Sequence, residues 1–146
     1  MYIEQSKYNE ILKIMPITCV DVCIVKDNKI FLAKRNNEPC KGQFYIPGGR
    51  VIKNEELKDT AHRKALEETG LDCYILKMIN VETTIYTTGI NQIPTHNINI
   101  CFKATIKTGN IVLNSENSEY IWVTKEESKK YDLHPYVRHS IENINT

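Results

Sequence analysis

A surplus of either charge is missing from this chain. Nineteen basic side chains stand against eighteen acidic ones, +1 in all, which argues against a basic nucleic-acid arm, a polybasic membrane patch or an acidic tail. Neither nucleic acid nor membrane is expected as a partner, and any bound anion must be gripped locally. Long apolar runs are missing too: no eighteen consecutive apolar residues occur, so no segment reads as a bilayer span. The first fifteen residues, interrupted by Glu4 and Glu10, lack the charged-then-apolar pattern of a leader. With no repeat, low-complexity tract or linker, the 146 residues suit one domain, 1–146. The five cysteines, at 19, 23, 40, 73 and 101, form no C-x-x-C pair and are an odd number, so neither a disulfide framework nor a zinc site is expected. Cys19 and Cys23 alternate with Val20, Val22 and Ile24 as small buried hydrophobes of a strand, and a reducing, cytoplasmic setting follows.

Hydropathy and turn residues supply the elements. Tyr8, Ile11, Leu12 and Met15 share a helical stripe that Pro16 stops. Ile17 to Val25 reads as a strand, turned by Asp27-Asn28-Lys29 into a second at Ile30 to Ala33. A loop at 36–43 leads to a short strand, Phe44 to Ile46, and a Pro47-Gly48-Gly49 turn. Asn54 is expected to cap a helix with Glu55 and Glu56 in its first turn and Gly70 at its end. Strands at about 73–86 and 96–106 flank a loop near Gly89 and Pro94. A strand at Tyr120 to Val123, a helix from about Lys125, a turn at Asp132 to Pro135 and a last helix follow. Strands around one long helix predict a mixed sheet between helices, an α/β fold of α/β/α sandwich type.

Arginine is scarce: Arg35, Arg50, Arg63 and Arg138 against fifteen lysines. Its planar fork grips phosphate or carboxylate in bidentate fashion better than lysine does, and three of the four flank the strands, glycine turn and long helix. That helix ends with Glu67 and Glu68, where the dipole disfavours negative charge by a few tenths to about 1 kcal/mol each. Arg63, one turn earlier, can pair with Glu67, whereas Glu68 falls in line with Leu57 and Ala61 on the inward face. Carboxylates beside a Gly-Gly turn and arginines suit Mg²⁺ shared with substrate phosphates, and equally suit a structural ion-pair network.

The spacing of Gly49, Glu55, Arg63, Ala65, Glu67, Glu68, Gly70 and Leu71 closely resembles the Nudix box, G-x5-E-x7-R-E-U-x-E-E-x-G-U, with Lys64 standing where a glutamate is expected. Across Pro16, Asp21, Ala33 to Asn36, Pro39, Gly42, Pro47 to Val51, Lys53, Thr95-His96, Tyr120, Trp122 and His134 the chain is similar to the GDP-mannose mannosyl hydrolase branch, whose box is also incomplete at position 64. The resemblance implies the Nudix fold, Mg²⁺ (or Mn²⁺) as cofactor, a GDP-sugar or other nucleoside diphosphate derivative as substrate, and a homodimer. It further implies that water attacks the anomeric carbon, releasing GDP and free sugar. Gly49 and Glu68, with Glu67, would bind the metal; Arg35 and Arg50 would hold the diphosphate; Asp21 would offset positive charge on the sugar; Tyr86 would line the sugar pocket. His134, in a turn from which a side chain can swing over a site, would be the base, its ordinary pKa near 6.5 suiting that task. His62 and His139 are expected to be solvated and His96 to be a core residue. A pyrophosphohydrolase of nucleotide sugars or (deoxy)nucleoside triphosphates and a non-catalytic nucleotide-binding domain are the competing readings.

Overall fold

The computed structural model describes residues 2–145. In chain order its elements are α1 (Gln5–Ile14), β1 (Ile17–Lys26), β2 (Lys29–Arg35), β3 (Phe44–Tyr45), β4 (Gly48–Arg50), α2 (Leu57–Thr69), β5 (Asp72–Tyr86), β6 (Thr95–Thr108), β7 (Asn117–Val123), α3 (Lys125–Ser128) and α4 (Pro135–Glu142), with a single 3-10 turn at Ile90–Gln92. The strands form one mixed sheet ordered β3-β2-β1-β6-β5, with β7 on β2 and β4 on β1. Among the described residues only the β1–β6 pairing is parallel. One edge of β1 runs along β6 from Ile17 to Val25. Its other edge pairs with β4 near its start, Cys19 opposite Arg50, and with β2 near its end, Val25 opposite Ile30.

Alternation along β1 divides the core into two layers, because successive strand side chains point to opposite faces. Val20, Val22 and Ile24 join Phe31, Phe102 and Ala104 beneath Ala61 and Ala65 of α2. Cys23, Leu32 and Cys101 meet Tyr136, Val137 and Ile141 of α4 on the other side. The sheet is thus covered on both faces, as the α/β/α reading anticipated. Ile24, Phe31 and Leu32 are wholly buried, each contributing about 1.5–3 kcal/mol. All five cysteines are free thiols and four are buried. Among the described residues no helix is long and apolar enough to cross a membrane.

The β1–β2 hairpin turns through Asp27 and Asn28, both at positive φ (49° and 62°), the type I′ geometry that these two residue types tolerate. Gly70, at φ 76°, ends α2. Three local expectations change. Asn54 does not cap α2: it sits at φ 71°, the helix starts at Leu57 after an extended Glu56, and Glu55 lies outside it because its carboxylate is committed to Ile52 N–H, Thr60 Oγ1 and Arg63. The Gly48-Gly49 turn is the strand β4, which completes the free edge of β1. His96 is exposed rather than buried.

Candidate active site

The C-terminal part of α2, β4 and the start of β1 enclose a cavity of about 800 Å³. Two glycines permit this junction. A Cβ on Gly48 would fall 2.0 Å from Asp21 Oδ1, and one on Gly49 would fall 2.6 Å from Lys64 Cε. The backbone of β4 can therefore lie directly against both side chains only where no side chain intervenes. Of the residues expected at the site, Asp21, Arg35, Gly49, Arg50, Glu67 and Tyr86 all line the cavity.

Glu68 lies under the same junction, 3% exposed. It accepts hydrogen bonds from Gly48 N–H (2.7 Å) and Asn117 Nδ2 (3.2 Å). Burial pushes its carboxyl up to about 7 despite relief from Lys64, with Glu116 adding to the rise. The Lys64 ammonium stands 3.1 Å from Glu67, 3.8 Å from Glu116 and 4.0 Å from Glu68. Burial disfavours its charge, but the three carboxylates outweigh that and raise its pKa. One ammonium thus serves three carboxylates, leaving negative charge and hard oxygen donors beside Gly49. That surplus fits a divalent ion such as Mg²⁺ or Mn²⁺. Among the described residues no three His, Cys, Asp or Glu side chains converge closely enough to hold a metal alone. Glu67, Glu68 and the Gly49 carbonyl would therefore share such an ion with water and substrate phosphates.

Arg63, at the cavity wall, orients Glu55 and Glu67. Its Nε and Nη2 donate to the two oxygens of Glu55 (2.8 and 2.9 Å), Nη2 also to the Arg50 carbonyl (3.1 Å), and Nη1 to Glu67 (3.4 Å). The Arg63 fork, helped by Thr60, holds the Glu55 carboxyl down at about 2. A depressed carboxyl stabilises the fold above its unfolded value and loses that contribution as pH falls through the folded one. Arg63→Met is therefore expected to cost roughly 2 kcal/mol at neutral pH. The difference from wild type should shrink as pH falls from about 5 towards 2. Urea unfolding across that range checks it, and a pH-independent difference would contradict the pairing.

The two arginines expected to grip phosphate have fixed settings. Arg35 donates from Nε to the Pro39 carbonyl (2.6 Å) and lies over the Tyr45 ring, while Arg50 lies over Tyr8. Asp21 is 6% exposed and accepts from the Tyr136 hydroxyl (2.8 Å). Burial raises its carboxyl to about 7, against lowering by Tyr136, Arg35 and Lys64. Tyr86 and Tyr45 share a hydroxyl contact of 3.0 Å at the cavity wall.

His134 is held differently from the swinging residue expected. It is the N-cap of α4, its Nδ1 accepting the Tyr136 amide proton at 3.1 Å. Its ring lies against Tyr86 (5.2 Å between centroids) and Tyr45 (6.4 Å). The preceding turn is pinned by Arg138, which donates to Ser128 Oγ and to the Ser128 and Tyr131 carbonyls. With Nδ1 accepting, a neutral ring carries its proton on Nε2. Desolvation lowers the imidazole pKa. His62 and His139 keep about half of their side-chain surface exposed, as expected, and also pair with Asp72 (2.7 Å) and Glu82 (2.9 Å).

Sequence spacing does not reveal Glu116 just before β7 and Asn117 at its start, Tyr45 of β3 or Tyr136 of α4, which reach the site from three different parts of the fold. Asn97 and Asn99 also line the cavity. Their signal is local: alternation with Ile98 and Ile100 places two amides on one face of β6.

Residues 15–144 match the NUDIX domain family. The chain is 30% identical over 147 residues to the low-salt glycan biosynthesis protein Agl8 of Haloferax volcanii, covering 97% of this chain and 90% of that protein. It is 43% identical over 70 residues to an ADP-ribose pyrophosphatase of Methanocaldococcus jannaschii, 48% of this chain and 41% of the relative. The crystal structure of a MutT NUDIX hydrolase from Burkholderia pseudomallei superposes with a TM-score of 0.78 at 22% identity, over 90% of this chain and 99% of that one.

Proposed function

The chain belongs to the Nudix family, and from that premise we propose that it hydrolyses a GDP-hexose, GDP-mannose or a close relative, to GDP and free sugar by attack of water at the anomeric carbon. The observation that carries this reading is Lys64. Its ammonium stands among Glu67, Glu68 and Glu116 where the box has a carboxylate, which reduces the negative charge available to gather several metals for attack at phosphorus. Expelling a diphosphate from carbon demands less: positive charge on the leaving group, and a base away from the carboxylate cluster. The similarity to a glycan biosynthesis protein also supports a sugar nucleotide.

In this reading Arg35 and Arg50 grip the diphosphate, and Asp21 faces the sugar carbon as positive charge develops. Bound Mg²⁺ or Mn²⁺ would add cationic charge to the leaving phosphates. Glu67, Glu68 and the Gly49 carbonyl would hold that ion, with Arg63 and Lys64 keeping Glu67 in place and Lys64 standing beside Glu68. His134 is the base; its ring lies behind Tyr86 and Tyr45 rather than on the cavity wall, so it must both release the Tyr136 amide from Nδ1 and turn past Tyr86 to reach the sugar. That part-buried hydrogen bond costs about 1–3 kcal/mol to leave unmade, whereas base catalysis contributes about 10²–10⁴ in rate, roughly 3–5 kcal/mol. Free thiols suit a cytoplasmic enzyme. A homodimer belongs to the same reading, supported by edge strand β5, which exposes Val81 and Ile85.

Cleavage of the phosphoanhydride is the second reading, favoured by Glu67 at the cavity wall and by the relative named as an ADP-ribose pyrophosphatase. Hydrolysis of GDP-mannose in ¹⁸O-water separates the two. Label in the sugar with GDP as product is expected; label in a phosphate with GMP as product would replace the first reading by the second.

A further inference from the structure

The cavity has two chemically distinct ends. Arg50 of β4 with Lys64 and Glu67 of α2 make one end ionic, while Asn97 and Asn99 of β6 with Tyr86 of β5 make the other neutral and amide-rich. Sheet register sets their separation. Cys19 of β1 has Arg50 of β4 on one side and Asn99 of β6 on the other, so the two ends stand two strand spacings apart, roughly 10 Å. Asn99 is fixed by donating to Thr84 Oγ1 (2.7 Å). Asn97, two residues along the same face, is 7% exposed. Among the described residues its Oδ1 is the one buried side-chain polar atom without a hydrogen-bond partner. Leaving an acceptor in that state is costly, so a group that recurs at this spot should bring a proton to it.

We infer that this neutral end is the subsite for the glycosyl part of the substrate, and that the Asn97 amide oxygen accepts a hydrogen bond from a sugar hydroxyl. A nucleobase is recognised by an open aromatic face, and this end offers none: Tyr86 is 8% exposed, bonded to Tyr45 through its hydroxyl and backed by His134. Tyr8, at the ionic end, carries the Arg50 guanidinium on its ring. Carboxamides, which both donate and accept, match the alternating donor and acceptor character of a polyol. The proposal rests on the sugar-nucleotide reading for its substrate but not on where water attacks.

Calorimetric titration in EDTA, in the cold, with GDP and separately with GDP-mannose tests it. Asn97→Leu, of similar volume and without the acceptor, is expected to weaken GDP-mannose about ten-fold and leave GDP within about two-fold. Asn97→Asp, which retains the oxygen, should keep most of the GDP-mannose affinity. Circular dichroism checks the fold, and Asn97→Ala carries the same expectation if the leucine variant does not fold. Equal losses for both ligands would assign Asn97 to the nucleotide, and no loss for either would remove it from the site; each overturns the proposal, as would failure of the wild type to bind GDP-mannose. A selective loss together with ¹⁸O in a phosphate would leave the subsite standing and sink only the attack at carbon.

Discussion

His134→Asn is expected to cut kcat by about 10²–10⁴, the usual contribution of a positioned general base, with little change in KM. Asparagine is chosen because it is a preferred N-cap and can accept the Tyr136 amide that Nδ1 accepts now. The start of α4 and the core contacts of Tyr136 and Val137 are thereby kept, and a loss of rate reports the imidazole rather than the fold. The base works only when neutral, so wild-type kcat should rise with pH through His134. Because desolvation lowers that pKa, its limb should lie on the acid side of the ordinary value near 6.5 and disappear in the variant, which keeps only the limb of Asp21, whose ionised form is also required and whose carboxyl is raised to about 7. An unimpaired His134→Asn enzyme would reduce His134 to a helix cap. Asp21, the carboxylate that lines the cavity with a pKa near 7, would then inherit the base role.

Asp21→Asn should stabilise the protein and disable it. Burial raises the Asp21 carboxyl from 3.8 to about 7. The unfolded chain therefore releases this proton at lower pH than the folded one, and the ionised folded form carries a penalty. That penalty is absent below the unfolded value, grows as pH rises to the folded one, and is constant above it. Each ten-fold change in acidity is worth about 1.4 kcal/mol, which puts the penalty on the order of 4 kcal/mol at its plateau. A neutral amide still accepts from the Tyr136 hydroxyl but carries no charge to bury. Urea unfolding should show the variant gaining on wild type as pH rises from about 4 to 8, while turnover falls at least about a hundred-fold with the loss of charge facing the sugar. A variant less stable than wild type throughout would mean that Arg35 and Lys64 outweigh desolvation at Asp21.

Both results concern groups whose type and spacing were legible while their settings were not. The box positions from Gly49 to Leu71, the scarce arginines, the period-two apolar strand at β1 and the helix ending at Gly70 follow from the order of residues alone. They depend on local rules: side-chain periodicity, the left-handed tolerance of glycine and the pairing of residues one helical turn apart. From them come the sheet between helices and the resemblance to the family, and that resemblance in turn implies the grouping of Asp21, Arg35, Arg50 and Glu67 around one site. Local rules say nothing about which distant element fills the space beside a side chain. Tyr136 reaches Asp21 across 115 positions of sequence, and Asn117 reaches Glu68 across 49; only the packing of α4 and β7 onto the sheet makes those contacts. Burial behaves likewise: whether Glu68, Asp21 and Lys64 are wet or dry, and so which way their protons lean, depends on what covers them. Lys64 shows the division most plainly. The sequence marks it as the wrong residue for its place in the box, while the tertiary structure makes it the shared counter-ion of three carboxylates, because β4 brings Gly49 against its stem and the chain before β7 brings Glu116 to its ammonium.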